Sequence, residues 1–186
     1  ILTSKIDHPA VRTTCKYLEK KRFGVTYLNV DKYGIISLNE LEKSIQNNTI
    51  LISIMYANNE IGTIQPIKEI AKIAKKHNIP FHTDACQAAG SLDLDVKKLG
   101  VNLMTINGSK IYGPKGIGVL YKQKNIELEP LLHGGHQEFG LRAGTENVPA
   151  IVGFAKALEL SQKEKNMKNK RLIKLRNYLI SDVLRK

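Results

Sequence analysis

The chain has 186 residues, of which 42% are hydrophobic and 25% charged, a composition that supports a folded core and excludes a chain disordered over most of its length. No apolar run reaches the length of a membrane span, and the opening ILTSKIDHPAVRTT lacks the apolar core of a signal peptide. The net charge of +12 raises nucleic acid as a partner, but Lys and Arg are spread along the chain. Their densest run, KEKNMKNKRLIKLR at 163–176, interleaves with Leu172, Ile173, Leu175, Leu179 and Ile180 as in a solvated amphipathic helix, so no nucleic-acid partner is expected.

In chain order, HPAVRTTCKYLEKK (8–21) predicts a helix with Pro9 in its first turn. VTYLNV (25–30) predicts a strand. SLNELEKSI (37–45) opens with Ser37 and has Glu40 three residues later, a capping box. TILISIMYA (49–57) is a near-continuous apolar run, as in a strand covered on both faces. Helix 67–77, strand 79–85, a short helix at 93–100 and strands at 102–107 and 117–122 follow. From Val148 to Lys186 the pattern is helical, with a break expected near Asn166–Asn169. This alternation predicts an α/β fold with a mostly parallel sheet flanked by helices. The length suggests one domain with an attached helix, divided here into 1–150 and a helical segment at 151–186.

In such sheets ligands bind beyond the carboxyl ends of the strands, where the polar residues interrupt this sequence. Asp84 ends one apolar strand, and Lys110 follows the next within NGSKIYGPKGIGVLY (107–121). A carboxylate for a protonated pyridine nitrogen and a lysine that forms a Schiff base are the two protein groups pyridoxal phosphate requires. Asn107 and Ser109 could donate hydrogen bonds to a phosphate, as could loop amides such as that of Gly108. His8 could stack on a ring or move protons. Each has a plainer role: a helix cap for Asp84, a surface amine for Lys110, a cap or core position for His8. The glycines do not form a nucleotide-binding pattern, because the lysine precedes them. No metal site is expected. The two cysteines, Cys15 and Cys86, are too few for a disulfide scaffold and suggest a reducing, cytoplasmic setting.

TSKIDHPAV (3–11), YANNEIGTIQPI (56–67), FHTDACQAAG (81–90), NGSKIYGPKGIGVLY (107–121) and HGGHQEFGLRAGTENVPAIVG (133–153) together resemble the cysteine desulfurases, class-V aminotransferase-like enzymes of pyridoxal-phosphate fold type I. The resemblance implies that Lys110 forms the Schiff base and removes the substrate's α-proton, while Lys115 only shapes the turn. It implies that Asp84 pairs with the pyridine nitrogen, Gln87 donates to the ring hydroxyl, Asn59 lies near that edge and His8 stacks on the ring. Thr145 would reach the phosphate in a second subunit, which implies a homodimer. The implied reaction converts L-cysteine to L-alanine and leaves an enzyme persulfide, whose sulfur passes to an iron–sulfur scaffold or a tRNA-thiolation partner.

Two departures from the family pattern stand out. The family's SGHK reads NGSK here, so Asn107 and Ser109 replace a serine and a histidine, and phosphate binding is expected to be kept but altered. The glycine-threonine phosphate loop would lie before Ile1, and the sulfur-accepting cysteine and the carboxylate-binding arginine after Lys186. The chain, which has no initiator Met, is therefore expected to be a central fragment that does not turn over cysteine alone. Neither Cys15 nor Cys86 matches the catalytic cysteine, though Cys86 lies close to the implied cofactor. The alternatives are a selenocysteine lyase or other class-V enzyme, a basic nucleic-acid-binding fragment, or a non-catalytic interaction module of the same fold.

Overall fold

The computed structural model describes residues 1–185. Five parallel strands, β1 (Leu2–Ser4), β2 (Thr26–Leu28), β3 (Ile52–Ser53), β4 (Phe81–Asp84) and β5 (Leu103–Asn107), join β6 (Gly118–Lys122), which is antiparallel to β5. Their order across the sheet is β2-β1-β3-β4-β5-β6. Helices α1 (Pro9–Lys20), α2 (Leu38–Lys43), α3 (Ile67–Lys76) and α4 (Val96–Leu99) connect the parallel strands, and α5 (Val148–Val183) follows β6.

Strand register sorts the side chains by face. Leu2 lies opposite Ile52, Ile52 opposite Phe81, and Thr83 opposite Met104. α3 adds Ile67, Ile70, Ala71 and Ala74 to the same core, at the spacing of one helical face. Phe81, Ile52 and Ile54 are completely buried there, and each such side chain contributes about 1.5–3 kcal/mol. The other face carries a polar row, because Ser53 pairs with His82 and Asp84 with Thr105. The His82 ring lies between Ser53 Oγ, 2.8 Å from Nδ1, and Thr105 Oγ1, 3.3 Å from Nε2. Burial pushes His82 below its ordinary 6.5, against the pull of Asp84.

Several predicted elements take a different local form. β1 was not predicted, because three residues are too few to show a period. The ladder of β3 is shorter than 49–57, yet its backbone still bonds to β4 through Ile54 N to His82 O (3.1 Å) and Tyr56 N to Asp84 O (2.8 Å). Ser37 caps α2 by accepting from Glu40 N at 3.2 Å. The reciprocal half of the capping box is missing, since the Glu40 carboxylate accepts from Asn29 N and Nδ2 instead. The helix expected at 93–100 starts at Val96, because Asp95 caps it through the amides of Lys97 and Lys98, and Gly100 ends it at φ +74°.

The break expected near Asn166–Asn169 is absent: α5 runs unbroken for 36 residues. An Asn weakens a helix when its side chain competes for nearby backbone groups. Here Asn169 Nδ2 instead donates to Ser91 O at 2.8 Å. Lys168 Nζ reaches Gly90 O at 3.3 Å, and Gln162 Nε2 reaches Ala89 O and Leu92 O at 2.6 and 3.0 Å. The helix thereby satisfies the carbonyls of the turn that follows β4. It also buries Phe154 in the main core.

Candidate active site

β1, β3, β4 and β5 are consecutive and parallel in the sheet, so their carboxyl ends open on one side. His8 follows β1, Asn59 follows the extended continuation of β3, Asp84 ends β4 with Gln87 in the next turn, and Asn107 ends β5 with Lys110 just beyond. Residues spread over a hundred positions of sequence thus share one edge for a topological reason.

After β5 the chain folds into a 3-10 turn, Gly108–Ile111, capped by Asn107. Asn107 Oδ1 accepts from Ser109 N at 2.9 Å and from Ser109 Oγ at 2.8 Å. Only the Asn107 amide nitrogen of this pair keeps uncommitted donor hydrogens, whereas the sequence suggested two side-chain donors. Gly108 is buried and its N–H already donates to Ile117 O at 3.0 Å. A Cβ there would lie 2.9 Å from both Pro114 O and Ile117 Cγ2, so this glycine allows the return strand to approach. The exposed Lys110 is carried on the outer side of this turn.

Asp84 is half-buried and its Oδ1 accepts from Cys86 N at 2.9 Å. Among the described residues, no Lys, Arg or His forms an ion pair with it. The neighbouring Cys86 thiol is pushed up to about 12, chiefly by burial and then by the Asp84 carboxylate; the charge of Lys110 pulls it the other way. The raised pKa makes Cys86 a poor nucleophile, since the thiolate is the reactive form. Cys15 is buried in α1, its thiol likewise raised by burial first, and both cysteines are free.

His8 caps α1: its Nδ1 accepts from Ala10 N at 3.1 Å, which leaves Nε2 as the outward ring nitrogen. Asn59 and Gln87 are exposed, and neither side chain is hydrogen-bonded to a described residue. Thr145 is exposed too, in the irregular stretch before α5, and no hydrogen bond joins it to the other candidates. Lys115 lies in a turn made possible by Gly116 at φ +79°. It lines an open hollow together with Asn107, Ser109 and Gly118. That neighbourhood is not legible from sequence spacing; it arises from the antiparallel pairing of Asn107 with Gly118.

The chain matches the Aminotransferase class-V family over residues 1–185. It belongs to that family. Family members use pyridoxal phosphate, and the mostly parallel sheet is that of fold type I. The chain is 57% identical over 185 residues to a protein of Methanosarcina thermophila named cysteine desulfurase IscS, covering 100% of this chain and 46% of that one. Among solved structures, a NifS-like protein superposes with a TM-score of 0.96 at 45% identity, over 98% of this chain and 51% of the other. Another, SspA in complex with cysteine, gives a TM-score of 0.83 at 49% identity, over 85% and 46% of the two chains. The chain thus spans about half the length of the relatives it matches.

Proposed function

We propose that this chain carries the pyridoxal-phosphate centre of a cysteine desulfurase that converts L-cysteine to L-alanine and retains the sulfur as a persulfide. The observation that carries the reading is the strand-end set itself: a carboxylate with no cation partner among the described residues and an amine, at the ends of adjacent strands, with amide and imidazole groups at the ends of the two strands beside them. The relatives named cysteine desulfurase supply the substrate class.

The donor set fits the cofactor. When bound, pyridoxal phosphate supplies an aldehyde for amino groups and a ring that accepts the electron pair left at the substrate's α-carbon. Asp84 would hold the ring nitrogen protonated, since a half-buried carboxylate favours a cationic N–H beside it. Gln87 and Asn59 have free amides for the ring oxygen, and His8 would cover one ring face. Lys110 would bond the aldehyde and then, as a free amine, take the α-proton. The Asn107 amide would donate to the phosphate side, where Ser109 could join it by turning its hydroxyl hydrogen away from Asn107 Oδ1, with Thr145 of a second copy completing the contacts in a homodimer.

Transfer of one sulfur atom from cysteine to a protein thiol turns RSH into RSSH and cysteine into alanine, so atoms and electrons balance without a further reductant. The elevated Cys86 thiol weighs against a persulfide on that residue. We further propose a cytoplasmic setting, delivery of the sulfur to an iron–sulfur scaffold or thiolation partner, and a role for the far half of α5 as the path toward a second domain. No helix among the described residues is long and apolar enough to cross a membrane.

In the protein that carries this segment, L-cysteine is expected to yield alanine and protein-bound sulfur in equal amounts, with both lost in Lys110→Ala. Alanine formation undiminished in that variant would contradict the reading. Turnover confined to selenocysteine would favour the lyase alternative.

A further inference from the structure

Two of the exposed site residues are each preceded by a buried polar residue that faces the other way. Asp7, next to His8, is 1% exposed and Asn58, next to Asn59, is 8% exposed. Asp7 Oδ2 accepts from Ser4 N (3.0 Å), Ser4 Oγ (2.6 Å) and Thr3 Oγ1 (3.2 Å), and its Oδ1 accepts from Met55 N (2.8 Å). The carboxylate therefore ties the end of β1 to the chain leaving β3. Asn58 makes the return link, donating from Nδ2 to Ile6 O at 2.9 Å and to Met55 Sδ at 3.3 Å. Its Oδ1 accepts from Glu60 N and Ile61 N at 2.8 and 2.9 Å, which closes the turn that holds Asn59.

A carboxylate buried without a cation costs stability, and an apolar residue would fill the same space at lower cost. Directional bonds to two separate loops do what an apolar residue cannot: they set the distance between those loops. Because consecutive Cα atoms are fixed about 3.8 Å apart, anchoring Asp7 and Asn58 also places His8 and Asn59.

We infer that Asp7 and Asn58 act as one anchor that fixes the His8 loop and the Asn59 loop relative to each other, and so are positioning residues for the cofactor ring. The consequence for the cofactor rests on the proposed function above; the coupling between the loops does not.

Three variants test it: Asp7→Asn, which turns an amide donor toward existing N–H donors; Asn58→Asp, which loses the donated bonds and sets a carboxylate oxygen against Ile6 O; and the double variant. In the cofactor-free chain, NMR is expected to show His8 ring resonances displaced in both single variants. Amide exchange at Ser4 or at Met55, whichever N–H faces the new NH2, is expected to rise at least about tenfold in Asp7→Asn, from the loss of one buried hydrogen-bond set. With pyridoxal phosphate and borohydride, the fraction of Lys110 trapped is expected to fall about tenfold in each single variant and no further in the double, as for residues that act as a unit. Losses that multiply in the double variant, or a folded Asn58→Asp chain with His8 unmoved, would overturn the inference. If Asp7→Asn does not fold, the His8 resonances of Asn58→Asp decide alone. Absence of trapping in the unmodified chain would count against the cofactor reading and leave the NMR arm to decide the anchor.

Discussion

Two chemically similar residues, Cys15 and Cys86, show how burial selects among side chains. Both thiols are raised by desolvation, that of Cys86 to about 12. Folded chain is therefore expected to react slowly with a thiol reagent at neutral pH, and both cysteines rapidly once denaturant is added; fast labelling of Cys86 in the folded state would contradict this. His82 offers a second test. Its folded pKa is lowered by burial, so the unfolded chain takes up a proton near pH 6.5 that the folded chain resists. The contribution is present above that pH and is lost as pH falls through the folded pKa. Asp7 acts with the opposite sign, being raised by burial, so its contribution is lost as pH rises through the carboxylate range. Comparing melting temperatures at about pH 7.5 and pH 5 is expected to show a smaller acid loss in His82→Gln than in the unmodified chain. Equal losses would assign the effect elsewhere.

Among the elements, α5 reaches furthest beyond its local role. Its Gln162, Lys168 and Asn169 side chains satisfy carbonyls from Ala89 to Leu92, directly after the turn that holds Asp84 and Gln87. Lys168 Nζ also sits 5.2 Å from the centre of the Tyr112 ring, beside the Lys110 turn. Gln162→Ala is expected to cost about 1–3 kcal/mol, because it leaves two partly buried carbonyls without this donor, whereas the exposed Lys163→Ala stays within about 0.5 kcal/mol. Urea unfolding measures both, and equal costs would mean that the docking bonds carry no stability. The helix itself was legible from its period, but not its continuity. What keeps it unbroken is a contact with residues some seventy positions earlier, which no local window contains. β1 was hidden for a related reason, since a strand of three residues is defined by its neighbours in the sheet.

The whole molecule shows which parts of the site were readable. Asp84 and Lys110 stood out because each interrupts an apolar strand at its end, and the parallel sheet turned those interruptions into a shared edge. The sharing of Asn107 Oδ1 with Ser109, and the place of Lys115 beside both, depended on side-chain geometry that sequence spacing does not encode. Thr145 is exposed and makes no hydrogen bond to the other candidates within one chain, which suits the proposed contribution to a second copy. Mixing Lys110→Ala chains with Thr145→Ala chains is then expected to restore cofactor capture at the intact Lys110, because one of the two sites regains both groups. No recovery on mixing would place Thr145 outside the site. The apolar side chains in the far half of α5, Leu172, Leu175, Leu179 and Ile180, are about half exposed and offer a further surface for association.

The central claim is that Lys110, and not one of the chain's other lysines, is the amine that holds the cofactor. The most direct measurement is to add pyridoxal phosphate, reduce with borohydride and map the modified peptides by mass spectrometry. The account predicts a pyridoxyl group on Lys110, lost in Lys110→Ala and reduced in Asp84→Asn. Modification scattered over surface lysines, or concentrated on Lys115, would contradict it.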